Sequence, residues 1–150
     1  MIQFRKATED DIELLVTLRI RDLKMFSFQE IQIETINQIR LFYQKKMKEH
    51  YCETILGYDQ EYLVATATLY QYDVMPSNKN PYGKVGQLTN VWVHDHYHHQ
   101  GLATEMIQYF IKNYQNKVGM ICLNSSLEAV SLYEKQGFQR KGNYFVFYTE

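Results

Sequence analysis

The chain has 150 residues, of which 45% are hydrophobic and 22% charged, and its net charge is −1. That length fits one domain over residues 1–150 with a core of its own, and the hydrophobic content excludes intrinsic disorder. The near-neutral charge gives no reason to expect nucleic acid or an anionic membrane as partner, and no apolar run approaches membrane-spanning length.

Ile2 to Ala7 alternates apolar and polar residues and reads as a first strand. Thr8 followed by Asp11 is a helix-start signal. Ile12, Leu15, Val16, Leu18, Arg19 and Leu23 then recur with helical spacing, interrupted at Met25-Phe26-Ser27-Phe28. A second helix is expected from Glu30 to His50, with Ile33, Ile36, Ile39, Phe42, Tyr43 and Met47 as its apolar set. Tyr51–Tyr58 and Glu61–Tyr72 read as strands joined through a turn at Gly57-Tyr58-Asp59-Gln60. Asp73 to Gly83 carries Pro76, Asn78, Asn80 and Pro81 and reads as a loop.

The densest signal follows. A strand-type run, Leu88 to Val93, ends in a polar loop, His94 to Gln100, which meets Gly101 at the start of an amphipathic helix. Leu102, Met106, Ile107, Phe110, Ile111 and Tyr114 form its apolar face. A glycine entering a helix exposes several backbone N–H groups at the positive end of the helix dipole, which is a phosphate-binding arrangement. No Lys-Ser or Lys-Thr follows the glycine and no second glycine precedes it, so neither a Walker loop nor a dinucleotide fingerprint is present. Val118 to Leu123 then reads as a buried strand and Ser126 onward as a helix. Ser125 and Glu128 are placed as a capping box and Gly137 as the helix stop. Phe138–Arg140 and Tyr144–Thr149 read as a last antiparallel pair joined through Lys141-Gly142-Asn143.

Two of these stretches carry a family resemblance. His98-His99-Gln100-Gly101-Leu102-Ala103 resembles the acyl-CoA pyrophosphate loop of the GNAT superfamily (Gcn5-related N-acetyltransferases), written Arg/Gln-x-x-Gly-x-Gly/Ala. Gly101 and Ala103 match, while His98 stands where Arg or Gln is expected. Asn124, Ala129 and Tyr133-Glu134-Lys135-Gln136-Gly137-Phe138 look like the family's second pattern, Asn, then Ala, then Tyr-x-Lys-x-Gly-Phe. The resemblance is close from Leu88 to Phe138 and loose elsewhere. It implies the α/β (α+β) GNAT fold: a mixed, mostly antiparallel, seven-stranded central sheet flanked by helices, in the order β-α-α-β-β-β-α-β-α-β-β.

The resemblance also implies acetyl-CoA as cosubstrate and direct acetyl transfer to a primary amine of a small molecule or peptide in a ternary complex. The pyrophosphate would meet His98, His99, Gln100, Gly101, Leu102, Ala103 and Thr104. The pantetheine arm would lie along Val91, Trp92 and Val93, with Asn124, Ala129 and Tyr133 on the far side. Tyr133 would be the general acid for the CoA thiolate. The family's usual Glu is missing from Gln87-Leu88-Thr89-Asn90, so Asn90 or Thr89 is left to position a water or the amine, with Glu61 and Asp73 as candidate carboxylates on neighbouring elements. Met25, Phe28, Tyr70 and Tyr72 would line the acceptor side.

Other readings stay open at this level. A CoA-binding relative with a sensing role and little turnover fits the missing base. A structural module would leave the anion loop and Tyr133 without a task. No metal is expected: His94, His96, His98 and His99 crowd one loop, but apart from Asp95 no Cys or carboxylate set completes a site. Cys52 and Cys122 read as reduced strand residues, no signal peptide opens the chain, and a cytoplasmic location is expected. A homodimer is suggested by resemblance alone.

Overall fold

The computed structural model describes residues 1–27 and 29–149. Strand β1 (Ile2–Lys6) leads through a 3-10 turn to helices α1 (Ile12–Phe26) and α2 (Ile33–Lys48), and the hairpin β2 (Cys52–Asp59) and β3 (Tyr62–Asp73) follows. Then come β4 (Lys84–Val93), α3 (Leu102–Tyr114), β5 (Met120–Cys122) and the short α4 (Val130–Lys135). Among the described residues the sheet has five strands in the order β1-β2-β3-β4-β5, all neighbours antiparallel except β4 and β5, which are parallel. No helix among the described residues is long and apolar enough to cross a membrane.

Alternation along β3 decides what covers each face of the sheet. Ala65, Ala67 and Leu69 point to one side and join Ile55 and Leu88 in a buried cluster with Leu102, Met106, Ile107, Phe110 and Tyr114 of α3. On the opposite face Leu56 is buried with Leu15, Val16 and Leu18 of α1 and Tyr43 of α2. Helices on both faces make a three-layer α/β structure.

The element order holds through α4, and several boundaries move. The helix start at Thr8 forms as expected, with the Thr8 N–H donating to the Asp11 carboxylate at 2.7 Å. Helix α1 continues through Met25 and Phe26 and stops at Ser27, because no helix breaker stands before that residue. Helix α2 begins at Ile33 rather than Glu30. The β2–β3 turn sits one step later than its sequence suggests, at Gln60, whose φ is +56°.

Two expectations are corrected. The capping box at Ser125 and Glu128 does not form: Ser126 is the N-cap without a side-chain cap bond, and the Ser125 hydroxyl donates to the Ser126 carbonyl at 2.7 Å. The seven-stranded sheet is a five-stranded one, because Phe138–Arg140 and Tyr144–Thr149 make no strand pairing among the described residues. The residue types favour a strand, but a strand also needs an edge to pair with.

Candidate active site

The parallel ladder between β4 and β5 is short. It joins Val85, Gly86 and Gln87 to Met120, Ile121 and Cys122 and then stops. Strand β4 runs on from Leu88 to Val93 with no partner on that side among the described residues, while beyond Cys122 the chain leaves β5 for the loop at Leu123. Where the pairing ends the two strands leave a gap, the groove of the candidate site, and β4 gives it an edge of unpaired backbone N–H and C=O groups.

Opposite the groove, β4 pairs with β3 through an irregular register. Thr68 faces Thr89 and Thr66 faces Trp92, so Asn90 and Val91 together oppose Ala67. This is a β-bulge, and Asn90 takes the extra turn with φ of +53°. Asparagine tolerates that region better than a branched residue. Its side chain is fully engaged: Oδ1 accepts from Arg19 at 3.0 Å and Nδ2 donates to the Tyr43 hydroxyl at 3.2 Å. Asn90 is 8% exposed, so its amide ties the bulge to α1 and α2.

At the end of the groove the chain turns into α3. The loop folds back on the strand, with His98 Nε2 2.8 Å from the Val93 carbonyl oxygen. His99 and Gly101 both have positive φ, of 63° and 80°. Gly101 is the N-cap of α3, and a Cβ built there meets nothing within 4 Å. The glycine therefore answers to backbone conformation, and the space above it is open. The N–H groups of Leu102, Ala103 and Thr104 form the first turn and have no intrahelical acceptor. Of the histidines, His98 is thus turned to Val93, and His94 accepts at Nδ1 from the His96 N–H at 3.1 Å. His99 and Gln100 are exposed, as is Asn124, while Ala129 packs against the α3 cluster.

Tyr133 enters from α4. It is 9% exposed, belongs to the same buried cluster as Leu88 and Leu102, and packs edge-on against Phe138 at 5.8 Å. Burial, and after it the carboxylate of Asp22, push its phenol up to about 12. At neutral pH the hydroxyl carries its proton.

Asp22 is the residue that sequence reasoning missed. It lies on α1, three-quarters buried, with Oδ2 3.4 Å from Arg19 Nη1. With Leu18, Arg21, Met25, Thr66, Asn90 and Trp92 it lines a recess of about 10 Å³, room for one water-sized group. Burial raises the Asp22 carboxyl above the usual carboxylate range, and Arg19 and Arg21 pull it back in part. In sequence it reads as one more charge on a helix. A hint was present in Arg19-Ile20-Arg21-Asp22, three charges within one helical turn, but which face they occupy is a tertiary fact.

The remaining candidates fall in different places. The Trp92 ring lies against Arg21, 3.9 Å from the guanidinium carbon, so its side chain faces α1 while its backbone faces the groove. Met25 is 65% exposed at the rim of the recess. Tyr70 and Tyr72 stand 6.0 Å apart on the α1–α2 face, and Phe42 packs edge-on to Tyr70 at 5.0 Å. The Tyr72 hydroxyl donates to Gln87 Oε1 at 3.1 Å, where the β4–β5 ladder ends. Phe28 lies outside the described residues. Glu61 is exposed at the β2–β3 turn and Asp73 pairs with Lys84 at 2.8 Å at the far end of β3, so neither is near Asn90. Burial pushes the Cys52 thiol up to about 12, and Cys122 donates to Gln87 Oε1 at 3.1 Å, so neither is an activated nucleophile.

Known proteins share this architecture. A predicted acetyltransferase from Clostridium acetobutylicum, solved with acetyl-CoA, superposes with a TM-score of 0.88 at 26% identity, covering 99% of this chain and 96% of that one. A GCN5-related N-acetyltransferase from Ralstonia eutropha JMP134 gives 0.82 at 15% identity over 100% of both chains. Glucosamine-6-phosphate N-acetyltransferase from Arabidopsis thaliana gives 0.71 at 17%, covering 100% and 99%. No curated protein matches the sequence significantly. The sequence itself matches the model of the Acetyltransferase (GNAT) family over residues 17–138, a span that holds the bulged strand, the Gly101 turn and Tyr133, and the chain belongs to that family.

Proposed function

We propose that the protein transfers an acetyl group from acetyl-CoA to a primary amine of a small molecule or peptide by direct attack in a ternary complex. The observation that carries this is that β4 loses its β5 partner after Gln87 and leads on to the free N–H groups at the start of α3. An extended pantetheine arm would pair with the open edge of β4 from Leu88 to Val93, and its pyrophosphate would sit on the turn at Gly101. A backbone N–H of Val91 or Val93 would polarise the thioester carbonyl.

In this reading the amine nitrogen reaches the thioester from the α1 side, beside the recess lined by Asp22, Asn90 and Trp92, while the body of the amine stays outside that recess. Its nitrogen attacks the thioester carbon, and a C–N bond forms as the C–S bond breaks. The nitrogen gives up its proton to Asp22, and Tyr133 supplies a proton to the departing thiolate. The two groups suit these tasks, since Asp22 is a carboxylate of raised basicity and Tyr133 a neutral phenol. Asn90 acts as a positioning residue, holding the bulge through Arg19 and Tyr43. Tyr70, Tyr72 and Met25 supply an aromatic and apolar acceptor side, which favours an amine with an apolar or aromatic body.

The experiment is thiol release from acetyl-CoA against a panel of primary amines, run beside calorimetric titration with CoA. Saturable thiol release that depends on an amine supports transfer. CoA binding with no turnover on any amine would favour the second reading, a CoA-binding sensor, for which the missing strand glutamate is the specific observation. No CoA binding would overturn both.

A further inference from the structure

Arg21 and Asp22 are consecutive on α1, and both line the recess beside the β4 bulge. Their charges are not engaged with each other. Asp22 pairs with Arg19, which also donates to Asn90. Arg21 lies over the Trp92 ring, its guanidinium carbon 3.9 Å from the ring centre. Among the described residues no carboxylate comes within 4 Å of it, and its N–H groups have no protein acceptor. A guanidinium laid on an aromatic face keeps its donors free, because they lie in its own plane. Arg21 is partly buried, and a cation drawn from water without an anionic partner is costly. The recess therefore presents a fork of donors suited to a carboxylate, next to a carboxylate suited to an amine.

We infer that the acceptor is an α-amino acid with an apolar or aromatic side chain, whose carboxylate is held by Arg21 while its amine meets Asp22. This rests on the acetyl transfer proposed above and names its substrate class. An amino acid zwitterion carries the same two charges as Asp22 and Arg21 in reverse. Spacing selects the α-amino acid. The recess is about 10 Å³ and admits one water-sized group, so the nitrogen enters and little else does. An anion that reaches Arg21 from there must be attached close to the nitrogen, and an α-carboxyl carbon is two bonds away. The side chain stays outside, where Met25 stands at the rim. Tyr70 and Tyr72 continue from Thr66 of the recess along the same face of β3.

The chemistry balances. The ammonium leaves one proton in water before attack. Its nitrogen then bonds the acetyl carbon and gives a second proton to Asp22, while the C–S bond breaks and CoA departs as the thiol with the Tyr133 proton. Asp22 and Tyr133 return to their starting states by exchange with water. The carboxylate passes unchanged into an N-acetyl amino acid.

The test measures thiol release with L-leucine, L-methionine and L-phenylalanine, each beside the amine left when its carboxylate is removed: 3-methylbutylamine, 3-(methylthio)propylamine and 2-phenylethylamine. In at least one pair kcat/KM should favour the amino acid by about 10–100-fold, the worth of a hydrogen bond to a charged group. 4-(2-Aminoethyl)benzoate, whose carboxylate is far from its nitrogen, should rank with the bare amines. Arg21→Met keeps an apolar stem over Trp92 and removes the fork, so it should bring the ratio close to one through KM, and Arg21→Lys should restore part of it. If thermal melting shows that Arg21→Met does not fold, the wild-type ratios decide alone. Bare amines used as well as amino acids, a preference for the benzoate, or a ratio unmoved in folded Arg21→Met overturns the inference and leaves acetyl transfer standing. If no amine releases thiol, the transfer reading falls, and calorimetry with CoA present decides the recognition. The protein should then bind one of these amino acids more tightly than its bare amine, and equal binding or none overturns the inference as well.

Discussion

The carboxylate of Asp22 on α1 lies within electrostatic reach of the Tyr133 hydroxyl on α4, and after burial it helps push that phenol up to about 12. The two residues are remote in sequence, and the fold brings them within reach of each other. One is a base of raised affinity for protons and the other an acid that holds its own. Environments that separate two titratable groups in this way are how an enzyme assigns proton-accepting and proton-donating roles.

Replacing Asp22 should separate binding from turnover. Asp22→Asn keeps the shape and removes the proton acceptor, so kcat should fall by roughly 10²–10⁴, the range for losing a positioned acid or base. CoA affinity should stay within a few-fold. The sign of the pH effect follows from the raised carboxyl: the wild-type rate is limited at low pH by protonated Asp22 and rises through a pKa above the ordinary carboxylate value of about 4. That limb should vanish in Asp22→Asn. A mutant with the wild-type pH profile would make Asp22 a partner of Arg19 and nothing more.

Tyr133→Phe removes a hydroxyl and leaves the ring on Phe138. Turnover should drop by about 10²-fold, at the low end because a thiolate leaves readily, with acetyl-CoA affinity nearly unchanged. With the phenol pushed up to about 12, no alkaline limb from Tyr133 should appear between neutral pH and about pH 10. Single-turnover kinetics check both points. Equal loss of affinity and stability would make the hydroxyl structural.

Gly101 offers a graded test of the anion site. Its φ of +80° makes any side chain strained, by about 1–2 kcal/mol for Gly101→Ala, yet no protein atom obstructs the added methyl. Gly101→Ala should therefore fold with slightly lower stability and bind CoA more weakly. Gly101→Glu should abolish binding through bulk and charge. Calorimetry reads affinity and thermal melting reads stability. Unchanged affinity in both variants would remove the phosphate from this turn.

Asp11 makes a prediction about acid stability. The Arg5 guanidinium, at 2.8 Å, holds the Asp11 carboxyl down at about 2, and the Thr8 N–H adds to the effect. A carboxyl depressed in the folded state stabilises above its unfolded pKa near 3.9 and loses that contribution as pH falls toward 2. Arg5 is largely exposed, so solvent screening limits the effect to about 1 kcal/mol or less. Asp11→Asn should lower the melting temperature at pH 7 and leave it unchanged near pH 2. Equal losses at both pH values would show the pair to be electrostatically idle, with the helix cap as the whole effect.

Local signals were legible in the residues themselves. Period-2 and period-3.6 patterns placed the strands and helices, because each element buries one side of itself. Gly101 and Gly137 were readable as turn glycines, and both have positive φ. The motifs around Gly101 and Tyr133 named the family. What the tertiary structure alone decided is everything that depends on which faces meet. The β4–β5 splay is a matter of where two strands stop pairing. Asp22 became a candidate because α1 turns it toward a bulge in β4 that no composition announces. His98 turned to the Val93 carbonyl because the loop folds back on its strand. Tyr144 to Tyr148 consists of strand-favouring residues and pairs with nothing among the described residues, since a strand is completed by its neighbour's hydrogen bonds and a sequence records one side of that exchange.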